Sequence, residues 1–147
     1  MKKSYLFTVL VLLVNVCAWA QQNSINRIEL TGNSTSDIIP ISNMVEAYVY
    51  HSAINLSNVD VQQKKQDFIN LMLPSILIAK FELEQTRLQV EKLMNKGVAL
   101  TGLEQNYIDK LQKSYKCKTN SELLSRLQTH PTSIVIAQAA IESGWGT

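Results

Sequence analysis

His130-Pro131-Thr132-Ser133-Ile134-Val135-Ile136-Ala137-Gln138-Ala139-Ala140-Ile141-Glu142-Ser143-Gly144-Trp145-Gly146-Thr147 is the last stretch of the 147-residue sequence. Between Ile134 and Ile141 its only polar side chain is Gln138, and such a run reads as a helix apolar on every face and buried in a core. Thr132 or Ser133 stands where a cap belongs, Pro131 lies just ahead, and Gly144 can supply the left-handed residue that ends a helix. Glu142 therefore falls in the last turn, where unpaired carbonyls make the dipole negative and a carboxylate is disfavoured. With Ile141 and Trp145 excluding water, its pKa is expected to rise. A carboxylic acid kept protonated near neutral pH is what a general acid requires. The plainer reading is a solvated Glu in a helix-terminal turn, where charged side chains ordinarily sit.

Upstream, the pattern is helical from Asp60 onward. Phe68, Leu71, Met72, Ser75, Ile76, Ala79 and Leu83 recur at three- and four-residue steps, which favours an amphipathic helix over a strand. Asn58 or Asp60 can cap it. Pro74 either kinks or splits it, and Gly97 is a candidate stop beyond Met94. Thr101-Gly102-Leu103-Glu104 has the spacing of a capping box and opens a helix through Tyr107, Ile108, Leu111 and Tyr115. Thr119-Asn120-Ser121-Glu122 repeats the signal before Leu123, Leu124 and Leu127. His130 precedes a proline, which disfavours helix, so it reads as a boundary residue and not as a base. The fold class expected is mainly α.

The other end of the chain differs in kind. Met1-Lys2-Lys3, an apolar run from Tyr5 to Val16, and Ala18-Trp19-Ala20 have the form of a secretory signal peptide over residues 1–20. The run is short for a membrane anchor of about twenty residues, so no stable span is expected after cleavage. Cys17 raises lipid modification as an alternative, but Val16 is bulky where a small residue is favoured. Residues 21–59 are irregular and turn-rich, with Pro40 interrupting Ile38 to Ile41. They read as a linker or an extended arm over the domain, with Arg27 to Leu30 and Met44 to Tyr50 as short extended pieces.

Composition narrows the chemistry. An apolar fraction of 46% with few Gly and Pro is that of one globular domain. Removing Lys2 and Lys3 leaves twelve basic residues against twelve acidic ones, so nothing argues for nucleic acid. From Lys64 to Arg126 eleven cations face seven acids; a weakly cationic face would suit an anionic wall polymer, but the charges are well interspersed, which favours an ordinary set of solvated helix faces. Only Cys117 would remain after cleavage, which excludes an internal disulfide and reads as a structural thiol. There is no phosphate loop, no nucleophile elbow and no His/Cys metal spacing, so neither metal nor cofactor is expected.

Ala137-Gln138-Ala139-Ala140-Ile141-Glu142-Ser143-Gly144-Trp145-Gly146 resembles the start of the catalytic motif of the glucosaminidase family of peptidoglycan hydrolases. Phe68 to Leu77 resembles the Bax-type secreted members of that family. The resemblance covers roughly Asp60 to Thr147, the front part of the family's domain. It implies a lysozyme-like helical domain over residues 60–147, incomplete at its C-terminus, and a periplasmic or secreted enzyme cleaving β-1,4 bonds of peptidoglycan glycan strands at N-acetylglucosamine, with Glu142 as the catalytic acid. A close variant cuts on the muramic-acid side. Hydrolysis also needs a second group to activate water or support the oxocarbenium-like centre; in families of this kind it lies beyond Thr147. Trp145 stacks on a sugar or packs under the cleft, and Gln138, one turn before Glu142, either orients it or belongs to core packing. The other function class is a non-catalytic helical envelope protein that binds wall or a partner.

Overall fold

A computed structural model describes residues 25–147. The signal peptide expected over residues 1–20, with Cys17, lies outside the described residues. The protein is mainly helical, with four α-helices and a two-stranded sheet among the described residues.

Helix α1 (Val61–Met94) is the spine. Asp60 caps it, its carboxylate accepting from the Gln62 and Gln63 amides at 3.0 and 3.2 Å. Its 34 residues extend about 50 Å at the α-helical rise. Pro74 lies inside and does not split the helix. Its ring is fully buried, so packing offsets the backbone hydrogen bond that proline cannot donate. The helix stops at Met94 with Asn95 as its cap, and Gly97 (φ 70°) takes the left-handed position in the following turn.

Helices α2 (Gly102–Ser114) and α3 (Asn120–Arg126) each begin at the capping box read from the sequence. The Glu104 amide donates to Thr101 Oγ1 at 3.3 Å while the Thr101 amide donates to the Glu104 carboxylate at 2.7 Å. Thr119 and Glu122 make the same exchange at 3.1 and 3.3 Å. Each box satisfies amides that the first turn of a helix leaves unpaired.

Helix α4 (Thr132–Ser143) ends as expected, with Gly144 in the left-handed region. Its start corrects the expectation. Neither Thr132 nor Ser133 caps it: Pro131 occupies the cap position with no side-chain cap bond. The Thr132 hydroxyl is engaged elsewhere, accepting from Lys80 Nζ at 3.0 Å, and the same ammonium donates to the His130 carbonyl at 2.8 Å. Lys80 thus meets the start of α4, while Phe68 meets Trp145 just past its end. The two helices therefore run antiparallel.

Strands β1 (Ile28–Leu30) and β2 (Tyr48–Tyr50) pair in parallel, Ile28 opposite Tyr48. The residues around them lie over the first half of α1. The Ile41 amide donates to Asn70 Oδ1 at 3.2 Å, and Ile38, Ile54 and Leu56 join Phe68 and Ala140 in one apolar cluster. A second cluster, Val90, Leu93, Ile108, Cys117, Leu123 and Leu127, fills the angle between the far half of α1 and the α2–α3 pair. Helix α1 thus carries a separate core at each end. Full burial of a Leu or Ile contributes about 1.5–3 kcal/mol, and Leu56, Ile108, Leu123 and Leu127 are all fully buried.

The expectation that α4 is buried on every face is overturned. Only Ala140 in it is buried; Ile134 is 56% and Ile141 83% exposed. Ile136 and Ala139 pack towards Phe68, Leu56 and Ile54. The physical reason is that α1 and the arm cover one side of the helix, and hydrophobicity alone does not say how many sides find a neighbour.

Candidate functional site around Glu142

Glu142 sits in the last turn of α4, as its place before Gly144 implies. The amides of Gly144 and Trp145 both return to the Ala140 carbonyl, the latter at 3.0 Å. Three consecutive residues, Gly144, Trp145 and Gly146, have φ of 58, 64 and 80°. For glycine this conformation is free, whereas for Trp145 it is strained. The chain leaves the helix in a tight hook, closed by the Gly146 and Thr147 amides donating to the Ser143 carbonyl at 3.1 Å each. The Ser143 hydroxyl donates to the Ala139 carbonyl at 2.7 Å, which occupies it structurally.

Gln138 and Glu142 are brought together. Gln138 Nε2 donates to Glu142 Oε1 at 3.0 Å, the i,i+4 geometry of one helix face. Both residues are exposed. The water exclusion expected of Ile141 and Trp145 is therefore absent: Ile141 points into solvent, and Trp145 turns away to the arm side of α1. The desolvation expected of Glu142 is not found among the described residues.

Trp145 is half-buried and held from two directions. Its ring meets Phe68 edge-on, centroids 5.5 Å apart at 72°, a favoured aromatic geometry. Lys65 Nζ lies 5.7 Å from the ring centroid, within range of a cation–π contact. Below the hook, the Leu56 amide donates to the Gly146 carbonyl at 3.1 Å. Phe68 was legible in the sequence only as part of an apolar helix face, and Lys65 and Leu56 not as neighbours of Trp145, because helical spacing shows that a residue faces inward without showing which distant segment it meets.

Other titratable groups lie apart in role. His51 Nε2 pairs with Glu29 Oε2 at 2.8 Å on an exposed sheet end. Cys117 is buried, its Sγ 3.7 Å from the Gln112 carbonyl. Glu104 is buried too, with Lys96 Nζ at 2.7 and 3.1 Å from its two oxygens. That ammonium, and then the Thr101 amide, hold its carboxyl below the usual range. A surface cavity of about 120 Å³ is lined by Ile39, Pro40, Met44, Tyr48 and Pro74 among others, and includes none of Gln138, Glu142 and Trp145. Among the described residues no cluster of His, Cys, Asp and Glu is able to hold a metal ion, and no helix is long and apolar enough to cross a membrane. Compared with known proteins, the chain matches no family model, no curated protein and no solved structure.

Proposed function

We propose that this chain is a secreted peptidoglycan hydrolase of the glucosaminidase type, in a lysozyme-like helical domain, with Glu142 as general acid. The observation that carries the reading is the Gln138–Glu142 hydrogen bond on an open helix face. The amide fixes one carboxylate oxygen and leaves the group accessible to a glycan. A bound strand would displace water from the face around Glu142, supplying on binding the desolvation that favours a protonated carboxyl. The proton then passes from Glu142 to the leaving glycosidic oxygen, and a second group activates water or supports the developing positive charge. Trp145, with Phe68 at one edge and Lys65 over one face, offers at most its remaining face to a sugar ring. Its packing also fixes the hook that follows the acid.

The test is a Glu142→Gln variant of the full-length protein on purified peptidoglycan. Loss of at least a hundredfold in released reducing ends is the expected result for a general acid; undiminished lysis removes Glu142 from the mechanism. Mass spectrometry of those ends separates cleavage at N-acetylglucosamine from cleavage on the muramic-acid side.

The exposure of Ile134 and Ile141 favours a second reading, in which α4 is a contact surface of a non-catalytic envelope protein. Binding of the wild type to peptidoglycan without release of reducing ends would select it.

A further inference from the structure

Charge is unevenly placed along the fold. Residues 110–126 carry five cations, Lys110, Lys113, Lys116, Lys118 and Arg126, against one acid, Glu122. The rest of residues 25–147 carry seven cations against eleven acids. Four net positive charges thus gather in 17 residues of a chain that is otherwise net negative.

The fold brings these five residues to one corner. Lys110 and Lys113 are three apart on α2 and share a face. Lys116 and Lys118 flank buried Cys117 in the turn that follows. Arg126, at the end of α3, reaches back to donate to the Tyr115 carbonyl at 3.0 Å. Gln112 Nε2 donates to Asn120 Oδ1 at 2.8 Å, fixing α2 against the start of α3. Two acids adjoin these cations and both are engaged: the Glu122 carboxylate accepts from the Lys118 and Thr119 amides, and Asp109, one turn before Lys113 on α2, accepts from Gln105 Nε2 at 2.7 Å. All five cations are exposed, and the four lysine ammoniums make no hydrogen bond or ion pair among the described residues. Helix-end electrostatics account for Lys113 and Arg126, each in a last turn. They do not account for Lys118 or for Lys116, which sits at φ 52° where glycine or asparagine is easier to accommodate.

We infer that the α2–α3 corner is a docking surface for an anionic polysaccharide, its acidic groups spaced along a flexible strand. Lysine ammoniums are compact point charges on flexible stems, suited to successive single anions and not to a fixed bidentate pattern. The half-buried Tyr107 and Tyr115 provide no open aromatic platform for unpaired bases. Val98 and Leu103, the exposed apolar residues nearest in sequence that could enter a lipid surface, lie at the other end of α2. The surface is independent of the role proposed for Glu142.

The test is binding of the full chain to alginate, a linear polymer of carboxylate-bearing sugars, across a range of salt. A Lys116→Asn, Lys118→Gln pair is compared with a Lys64→Gln, Lys92→Gln pair that removes the same charge from α1. The expected result is salt-sensitive binding, weakened about tenfold by the corner pair and less than twofold by the α1 pair. Asparagine tolerates the left-handed position, so the corner pair keeps its fold, and an unchanged circular dichroism melt verifies that. Equal weakening by both pairs, no binding of the wild type, or tighter binding to duplex DNA or to anionic vesicles each overturns the inference.

Discussion

The Leu56 amide donates to the Gly146 carbonyl at 3.1 Å, tying the hook that follows Glu142 to a segment ninety residues earlier. Leu56 is fully buried beneath it, and a Cβ on Gly146 would stand 3.2 Å from Leu56 Cδ1. Two substitutions should therefore loosen the same end of α4. Leu56→Ala leaves a cavity and is expected to cost about 2–5 kcal/mol. Gly146→Ala must hold φ 80° and displace Leu56, at a cost of about 1–2 kcal/mol. Without residues 1–20, Trp145 is the only tryptophan. Its emission should shift to the red in both variants, as denaturant melts record the loss of stability; an unshifted spectrum would mean that the hook holds without the arm.

Gln138 offers a sharper division between stability and activity. Its bond to Glu142 is exposed, and an i,i+4 side-chain pair contributes only about 0.2–0.5 kcal/mol. Gln138→Ala should leave the melting midpoint almost unchanged. If the proposed reaction holds, lysis should fall about tenfold to a hundredfold, because an acid free to rotate spends less time facing the leaving oxygen. Lysis at the wild-type rate would leave the bond as decoration of the helix surface.

The helix starts were legible because a capping box is a local exchange: Thr101 with Glu104, and Thr119 with Glu122, need only their own first turn. The Gly144 stop was legible for the same reason. What escaped depended on distant partners. Ile141 is as apolar in sequence as Ile136, yet the first faces solvent and the second packs against the arm. Thr132 has a good cap side chain, yet Lys80, far away on α1, takes its hydroxyl. At the candidate site, Glu142 and Gln138 were legible as one helix face, whereas Lys65 and Phe68 meet Trp145 only because α1 and α4 run antiparallel.

Lys116 makes a prediction about backbone strain alone. At φ 52° its Cβ crowds the main chain, a cost of roughly 1–2 kcal/mol that glycine does not incur. Lys116→Gly gives back part of this as extra freedom in the unfolded chain. A net gain of about 0.5–1 kcal/mol is expected, read as a rise of a few degrees in Tm. A lower Tm would show that the side chain contributes more to the corner than its conformation costs.

The three cap carboxylates set the acid limit of the fold. Asn33 and Ser34 amides lower Asp37 below its ordinary 3.8; Lys96 and then the Thr101 amide lower Glu104, and the Lys118 and Thr119 amides lower Glu122, both from 4.5. In each case the unfolded chain takes up its proton at a higher pH than the folded one. The stabilisation is therefore fully present above the ordinary values and is lost as pH falls through the lowered folded ones. Thermal melts should be nearly flat from pH 7 to about 5 and fall steeply below about 4. Glu104→Gln should lower Tm at pH 7, since Lys96 loses its anionic partner at a buried site, and should converge on the wild type as pH drops. If the two curves stay parallel down to pH 3, the Glu104 charge contributes nothing, and the box holds through hydrogen bonds that a neutral side chain makes equally well.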